Sequence, residues 1–139
     1  MKNIFLLLLL FTGIVKGQII NFPDANFKAK LLESGIARDL NNAVTLIDSN
    51  GNGEIEVNEA AQIISLNMSS SLISDATGIE YFINLQFLTC SGTQIPSLSF
   101  PGLSNLRWLF CENNSQLTSL NLSNLTNLNK LYCNYNKIT

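Results

Sequence analysis

Leucines return on a fixed beat through the second half of the chain. Leu85-Gln86-Phe87-Leu88-Thr89-Cys90 recurs as Leu106-Arg107-Trp108-Leu109-Phe110-Cys111 and again as Leu128-Asn129-Lys130-Leu131-Tyr132-Cys133, at offsets of 21 and 22 residues. A weaker copy, Ile63-Ile64-Ser65-Leu66-Asn67-Met68, lies 22 residues upstream of the first. Three residues after each cysteine stands Thr93, Asn114 or Asn136. Apolar positions follow at Ile95, Leu117 or Ile138, then at Leu98 or Leu120, Phe100 or Leu122, and Leu103 or Leu125. Side chains alternate along a strand, so Leu88, Leu109 and Leu131 are predicted to face inward together with Cys90, Cys111 and Cys133. Asn114 and Asn136 can turn in at the strand ends and pair backbone groups that the bend leaves open, and Thr93 can do so in part. One such coil cannot bury its own apolar edge, so stability is expected to come from stacking neighbours.

The pattern L-x-x-L-x-C-x-x-N-x-L defines a leucine-rich repeat, with one short strand per coil and an irregular return. It predicts an α/β solenoid: a parallel sheet on one side, an irregular convex side on the other. The coils are read as 63–84, 85–105, 106–127 and a partial 128–139. Because the last begins without its return segment, the chain is read as a fragment or as the start of a longer array.

Ahead of the repeats, residues 18–62 carry most of the carboxylates and are read as an N-terminal cap. Pro23 and Asp24 open a predicted helix through Phe27, Leu31 and Leu32 that ends near Gly35, with Asp24 as its cap. Residues 48–59 then read Asp-Ser-Asn-Gly-Asn-Gly-Glu-Ile-Glu-Val-Asn-Glu, which fits the EF-hand-like spacing D-x-[DN]-x-[DN]-G-x5-E at every specified position. In that arrangement Asp48, Asn50 and Asn52 offer side-chain oxygens, Gly53 allows the sharp turn and Glu54 gives its backbone carbonyl. Glu56 reaches the ion directly or through water, and Glu59 closes the shell with both oxygens. Six or seven flexible oxygens suit Ca2+ better than Mg2+, and a single loop points to a structural ion held at roughly 10⁻⁴ to 10⁻³ M. The competing reading is an Asn/Gly-rich surface turn leading into an acidic helix start. In either case the loop runs directly into the first repeat strand, which places the cap on the N-terminal end of the stack.

Between the inward leucines lie the residues of the predicted concave face. They are Ser65, Asn67 and Ser69, then Phe87, Thr89 and Ser91, then Trp108, Phe110 and Glu112, then Lys130, Tyr132 and Asn134. Phe87, Trp108, Phe110 and Tyr132 fall side by side, flanked by Glu112 and Lys130. Such a cluster is read as a partner-binding patch, against the alternative of ordinary cross-strand pairing. The three cysteines share one repeat position, which favours buried free thiols over a strained disulfide, a metal site or a nucleophile.

Composition narrows the chemistry. The absence of histidine removes Ser-His-Asp and Cys-His catalysis and His-ligated metals. Residues 1–17 read as a cleavable export signal: Lys2, an apolar run from Ile4 to Val15, and Gly17 before the cut, too short for the roughly 20 residues of a membrane span. Without it the net charge moves from −2 to −4, since Lys2 and Lys16 leave with it. A mildly acidic chain gives no reason to expect nucleic acid or anionic lipid as partner. The Asn-x-Ser/Thr triplets at Asn67, Asn113, Asn121 and Asn124 arise by composition.

Taken together, the repeats, the segment Phe22-Pro23-Asp24-Ala25-Asn26-Phe27-Lys28 and the 48–59 loop resemble secreted bacterial leucine-rich-repeat proteins of internalin-like type. That resemblance implies a curved solenoid that binds an extracellular protein or glycan, secreted or on the cell surface. A non-catalytic, monomeric recognition module is the leading reading. A targeting or spacer region of a larger extracellular enzyme is the alternative, and a calcium-dependent assembly module of dockerin kind, which normally needs two loops, is third.

Overall fold

The structure, a computed structural model, describes residues 17–69 and 72–139. Apart from Gly17, the predicted export signal lies outside the described residues.

The chain forms a β-solenoid of leucine-rich-repeat type. Among the described residues its main sheet has six strands, starting with β2 (Val44–Thr45) and β1 (Ala37–Asp39). Four of them are the repeat strands β3 (Ile63–Asn67), β4 (Phe87–Thr89), β6 (Trp108–Phe110) and β8 (Lys130–Tyr132), each parallel to the next. The registers Leu66↔Leu88, Leu88↔Leu109 and Leu109↔Leu131 stack the repeat leucines in one row. Leu66, Leu88 and Leu109 are buried, and each contributes about 1.5–3 kcal/mol by leaving water. Cys90 and Cys111 lie in the same core, and all three thiols are free. Leu131 is more open because β8 is the sheet's last strand.

Behind the leucines, a polar spine joins the coils. Asn114 is fully buried; its Oδ1 accepts from Thr93 N at 2.6 Å and Thr93 Oγ1 at 2.8 Å, and its Nδ2 donates to Cys111 O at 2.9 Å. One coil on, Asn136 Oδ1 accepts from Asn114 N, and Asn136 Nδ2 donates to Cys111 O and Cys133 O. These amides pair backbone groups at the strand exits that no ladder bond reaches.

Two expectations need correction. The convex side is not simply irregular. Return strands β5 (Ser97–Ser99) and β7 (Ser119–Asn121) form a second parallel sheet in the register Leu98↔Leu120, and a short 3-10 helix spans Ile79–Tyr81. The cause is a local period of two: Leu98 is buried between exposed Ser97 and Ser99, a strand pattern. Nor is the cap purely helical. Strands β1 (Ala37–Asp39) and β2 (Val44–Thr45) form a hairpin that extends the main sheet, β1 pairing antiparallel with β3. The first repeat strand has no preceding coil, and the hairpin takes up its open edge. Asp39 Oδ1 accepts from Asn41 N and Ala43 N across the turn, and Asn42 supplies its left-handed residue.

Helix α1 spans Ala25–Leu31, shorter than a span to Gly35, with Phe27 and Leu31 turned into the core. Asp24 caps it through Oδ1, while its Oδ2 accepts from Ser74 N, Ser74 Oγ and Asp75 N in the first return segment. A single carboxylate thus ties the cap to the repeats. Gly78 allows close packing beside it, since a Cβ there would fall 2.5 Å from the Phe22 ring.

Candidate partner-binding face and calcium loop

On the solvent side of the main sheet, the registers sort the outward residues into rungs. Ser65, Phe87, Trp108 and Lys130 form one, and Asn67, Thr89, Phe110 and Tyr132 the next. The rings touch across strands and, for Trp108 and Phe110, along β6. Phe87 and Trp108 meet edge to face at 5.2 Å between centroids, Trp108 and Phe110 at 6.4 Å, and Phe110 and Tyr132 stack at 4.8 Å with planes 5° apart. Lys130 Nζ lies 4.0 Å from the Trp108 ring centroid, a cation–π contact. In a third rung Glu112 N donates to Ser91 Oγ, and Asn134 Nδ2 donates to Glu112 Oε1. The six residues singled out for partner binding therefore lie on one face. Phe87, Trp108 and Phe110 are half-buried and Tyr132 is exposed, so the strip offers ring surface to solvent after its internal pairing.

Beside Trp108 opens a cleft of about 320 Å3, lined by Arg107, Trp108, Asn127 and Asn129. Sequence reasoning missed Arg107, Asn127 and Asn129. The available signal was the offset of 22 that sets Arg107 and Asn129 at equivalent positions of neighbouring coils.

The acidic loop is closed by its own hydrogen bonds. Asp48 Oδ1 accepts from Gly51 N and Asn52 N, and Oδ2 accepts from Gly53 N at 2.8 Å. Glu59 Oε1 accepts from Ser49 N, Ser49 Oγ and Asn50 N, and its Oε2 from Glu56 N. Glu56 accepts from the side-chain amides of Asn50 and Asn52. The Glu56 carboxyl is held below its usual pKa range, first by hydrogen bonding with Glu59 and then by the Asn52 amide, against the effect of burial. Glu54 turns its side chain to Lys28 Nζ, which donates to Oε2 at 2.7 Å. Gly51 and Gly53 take the left-handed backbone that the tight turn demands.

Whether these residues suit calcium is a question of donor chemistry and placement. The donors are all hard oxygens, and Asp48, Asn50, Asn52, Glu56 and Glu59 belong to one connected hydrogen-bond network. Among the described residues, however, no three carboxylate or thiolate side chains cluster closely enough to form a ready cage. To hold Ca2+, the Asn50 and Asn52 amides would have to turn oxygen toward the ion in place of the N–H groups that donate to Glu56.

The loop also has a brace that the sequence did not disclose. Ile20 N donates to Ile55 O and Val57 N to Gln18 O, both at 2.9 Å, so the segment Gln18–Ile20 lies antiparallel along the loop's exit. Helix α2 (Val57–Ala60) begins there, with Glu56 and Glu59 forming a reciprocal capping box.

No protein-family model matches the chain, and no curated protein matches it. Among solved structures it is similar to an internalin from Listeria monocytogenes, with 21% identity and a TM-score of 0.49 over 92% of this chain and 48% of that one. The chain thus spans about half the length of that structure. What defines the repeat class is the strand registers and the buried leucine row. Among the described residues, no helix is long and apolar enough to cross a membrane.

Proposed function

We propose that this chain is a non-catalytic, exported recognition module that engages an extracellular protein or glycan through the aromatic strip of its sheet. The carrying observation is the run of four rings, Phe87, Trp108, Phe110 and Tyr132, across three adjacent strands on the solvent side. Neighbouring strands hold such rings rigidly, so little side-chain entropy is lost when a partner covers them, and aromatic anchors of this kind concentrate binding energy. Part of the strip's burial is cross-strand pairing, worth about 0.2–1 kcal/mol per pair. That share stabilises the sheet and would persist in a pure scaffold.

Calcium enters the reading as a structural ion in the 48–59 loop. Bound there, it would neutralise carboxylates and fix the cap against the first coil, with Asp48, Asn50, Asn52, Glu56 and Glu59 as side-chain ligands and Glu54 through its carbonyl.

The test uses a glycan and protein array probed with the chain and with Trp108→Ala/Phe110→Ala. Binding by the wild type that falls at least tenfold in the variant, with an unchanged circular dichroism spectrum, is the expected result. Equal binding by both proteins would assign the rings to sheet stabilisation alone.

A further inference from the structure

The cleft beside Trp108 carries charge of the opposite sign to the chain as a whole. The chain is net negative, yet the lining residues Arg107, Trp108, Asn127 and Asn129 include no carboxylate. Arg107 is exposed, and among the described residues its guanidinium has no hydrogen-bond or ion-pair partner. The Asn129 side-chain amide is likewise unengaged. Asn127 Nδ2 donates to Ser104 O at 2.8 Å, which leaves its side-chain oxygen as an acceptor. Lys130, whose Nζ lies over the Trp108 ring, adds a second cation at the first residue of β8, directly after Asn129. Arg107 and Asn129 are held together by the sheet itself, since Asn129 N and Lys130 N both donate to Arg107 O.

We infer that this cleft binds a carboxylate-bearing sugar, a uronate residue within an anionic polysaccharide. The inference rests on the reading of the sheet face as a recognition surface and names the ligand class for one end of it. Each lining group has a counterpart on such a sugar. A guanidinium pairs a carboxylate through two parallel N–H bonds. Amides donate to and accept from ring hydroxyls. The indole covers the C–H face of a pyranose. At about 320 Å3 the cleft stands at the lower end of small-ligand sites, which suits one or two rings. A neutral sugar would shield Arg107 from water without pairing its charge, which is costly. An acidic peptide side chain would pair Arg107 but leave the two amides and the indole with little to do.

Trp108 is the chain's single tryptophan, so its emission reports this cleft directly. The experiment titrates the full chain with trigalacturonate, with the neutral galactose trisaccharide and with a tetraglutamate peptide, following Trp108 fluorescence. Trigalacturonate is expected to shift the emission saturably, and the neutral sugar and the peptide to bind at least tenfold more weakly. Arg107→Gln is expected to weaken uronate binding at least tenfold, and Asn129→Ala several-fold. Both positions are exposed, and an unchanged melting temperature verifies that the variants fold. Raising ionic strength from about 0.1 to about 1 M shortens the screening length from about 10 to about 3 Å and should weaken the uronate complex. The inference is overturned by a flat titration with trigalacturonate, by equal binding of the neutral sugar or the peptide, or by an Arg107→Gln variant that binds like the wild type. If array ligands are still lost with Trp108→Ala/Phe110→Ala while the uronate fails, the recognition reading stands and only the ligand class falls.

Discussion

Replacing Asn114 by alanine tests whether the polar spine holds the coils in register. The side chain is fully buried and engages three groups: Thr93 N, Thr93 Oγ1 and Cys111 O. Their fates differ once it is removed. Thr93 is itself buried, so its N–H loses its acceptor where water does not reach, at about 1–3 kcal/mol. The Thr93 hydroxyl keeps a long contact to Cys90 O at 3.4 Å and loses about 0.5–1 kcal/mol. Cys111 O retains the Asn136 amide and loses little. The sum is about 1.5–4 kcal/mol. Asn136→Ala removes a comparable set of bonds, yet Asn136 is half-buried in the outermost coil, where water replaces them. Its expected cost is about 1 kcal/mol. Urea denaturation followed by Trp108 fluorescence reads both. With a slope of about 1.5 kcal/mol/M, Asn114→Ala should lower the midpoint by about 1–2.7 M and Asn136→Ala by about 0.7 M. If Asn114→Ala costs no more than Asn136→Ala, the spine is decoration, and the leucine row alone sets coil spacing.

Further outcomes follow from the cap and the thiols. Calcium should raise the melting temperature of the wild type but not of Asp48→Ala/Glu59→Ala. The double variant should also melt lower without calcium, because Glu59 accepts from Ser49, Asn50 and Glu56 in the loop; an equal calcium shift in both proteins would remove these residues as ligands. Burial pushes the Asp24 carboxyl up, but hydrogen bonds from Ser74, Phe27 and Asp75 outweigh it and hold the pKa at about 2, below its ordinary 3.8. The stability this provides is fully present above pH 3.8 and is lost as the pH falls from there through about 2. The expected loss is about 2 kcal/mol, the free-energy equivalent of that drop in pKa, and denaturation of Asp24→Asn should show a flatter response across that window. Burial also raises the Cys90 thiol pKa, and that of Cys111 to about 12, whereas Cys133 is only half-buried. Under native conditions a thiol reagent should modify Cys133 first, and equal rates at all three would contradict the inward ladder.

How far the sequence disclosed this molecule depends on the range of each interaction. The strand rungs were legible because one coil repeats a local pattern. Once Leu88 and Leu109 are aligned at an offset of 21, Phe87 must meet Trp108 and Thr89 must meet Phe110. The hairpin was not legible. Its strands span three residues and two, and Ala37-Arg38-Asp39 shows no apolar alternation; it exists because β3 needs a neighbour, which is a property of the assembled sheet. The return strands fall between these cases, since Ser97-Leu98-Ser99 carries the strand period but is too brief to outweigh the expectation of an irregular return. The brace from Gln18–Ile20 was hidden by its position, directly behind a segment read as a removable leader.

The same division explains why the two candidate sites differ in kind. The aromatic strip is built across repeats: the coils from residue 85 onward contribute one or two rings each, and the sheet spacing sets their contacts, so a change in one coil moves only that coil's share of each rung. The acidic loop is built within twelve contiguous residues, yet it is held from outside, its backbone by Ile20 N on Ile55 O and its Glu54 side chain by Lys28. Residues 55–57 run from the Glu54 carbonyl through Glu56 toward Glu59, so fixing them removes conformational freedom that an unbraced loop would lose on gathering its ligands. A peptide of residues 48–59 alone should therefore bind calcium more weakly than the intact chain. Ile20→Pro, which deletes the N–H bonded to Ile55 O, should fall between the two. The variant keeps every ligand, so calorimetry on these three samples separates the contribution of the brace from that of the donor set. Equal affinity in the intact chain and in the peptide would show that the twelve residues need no scaffold.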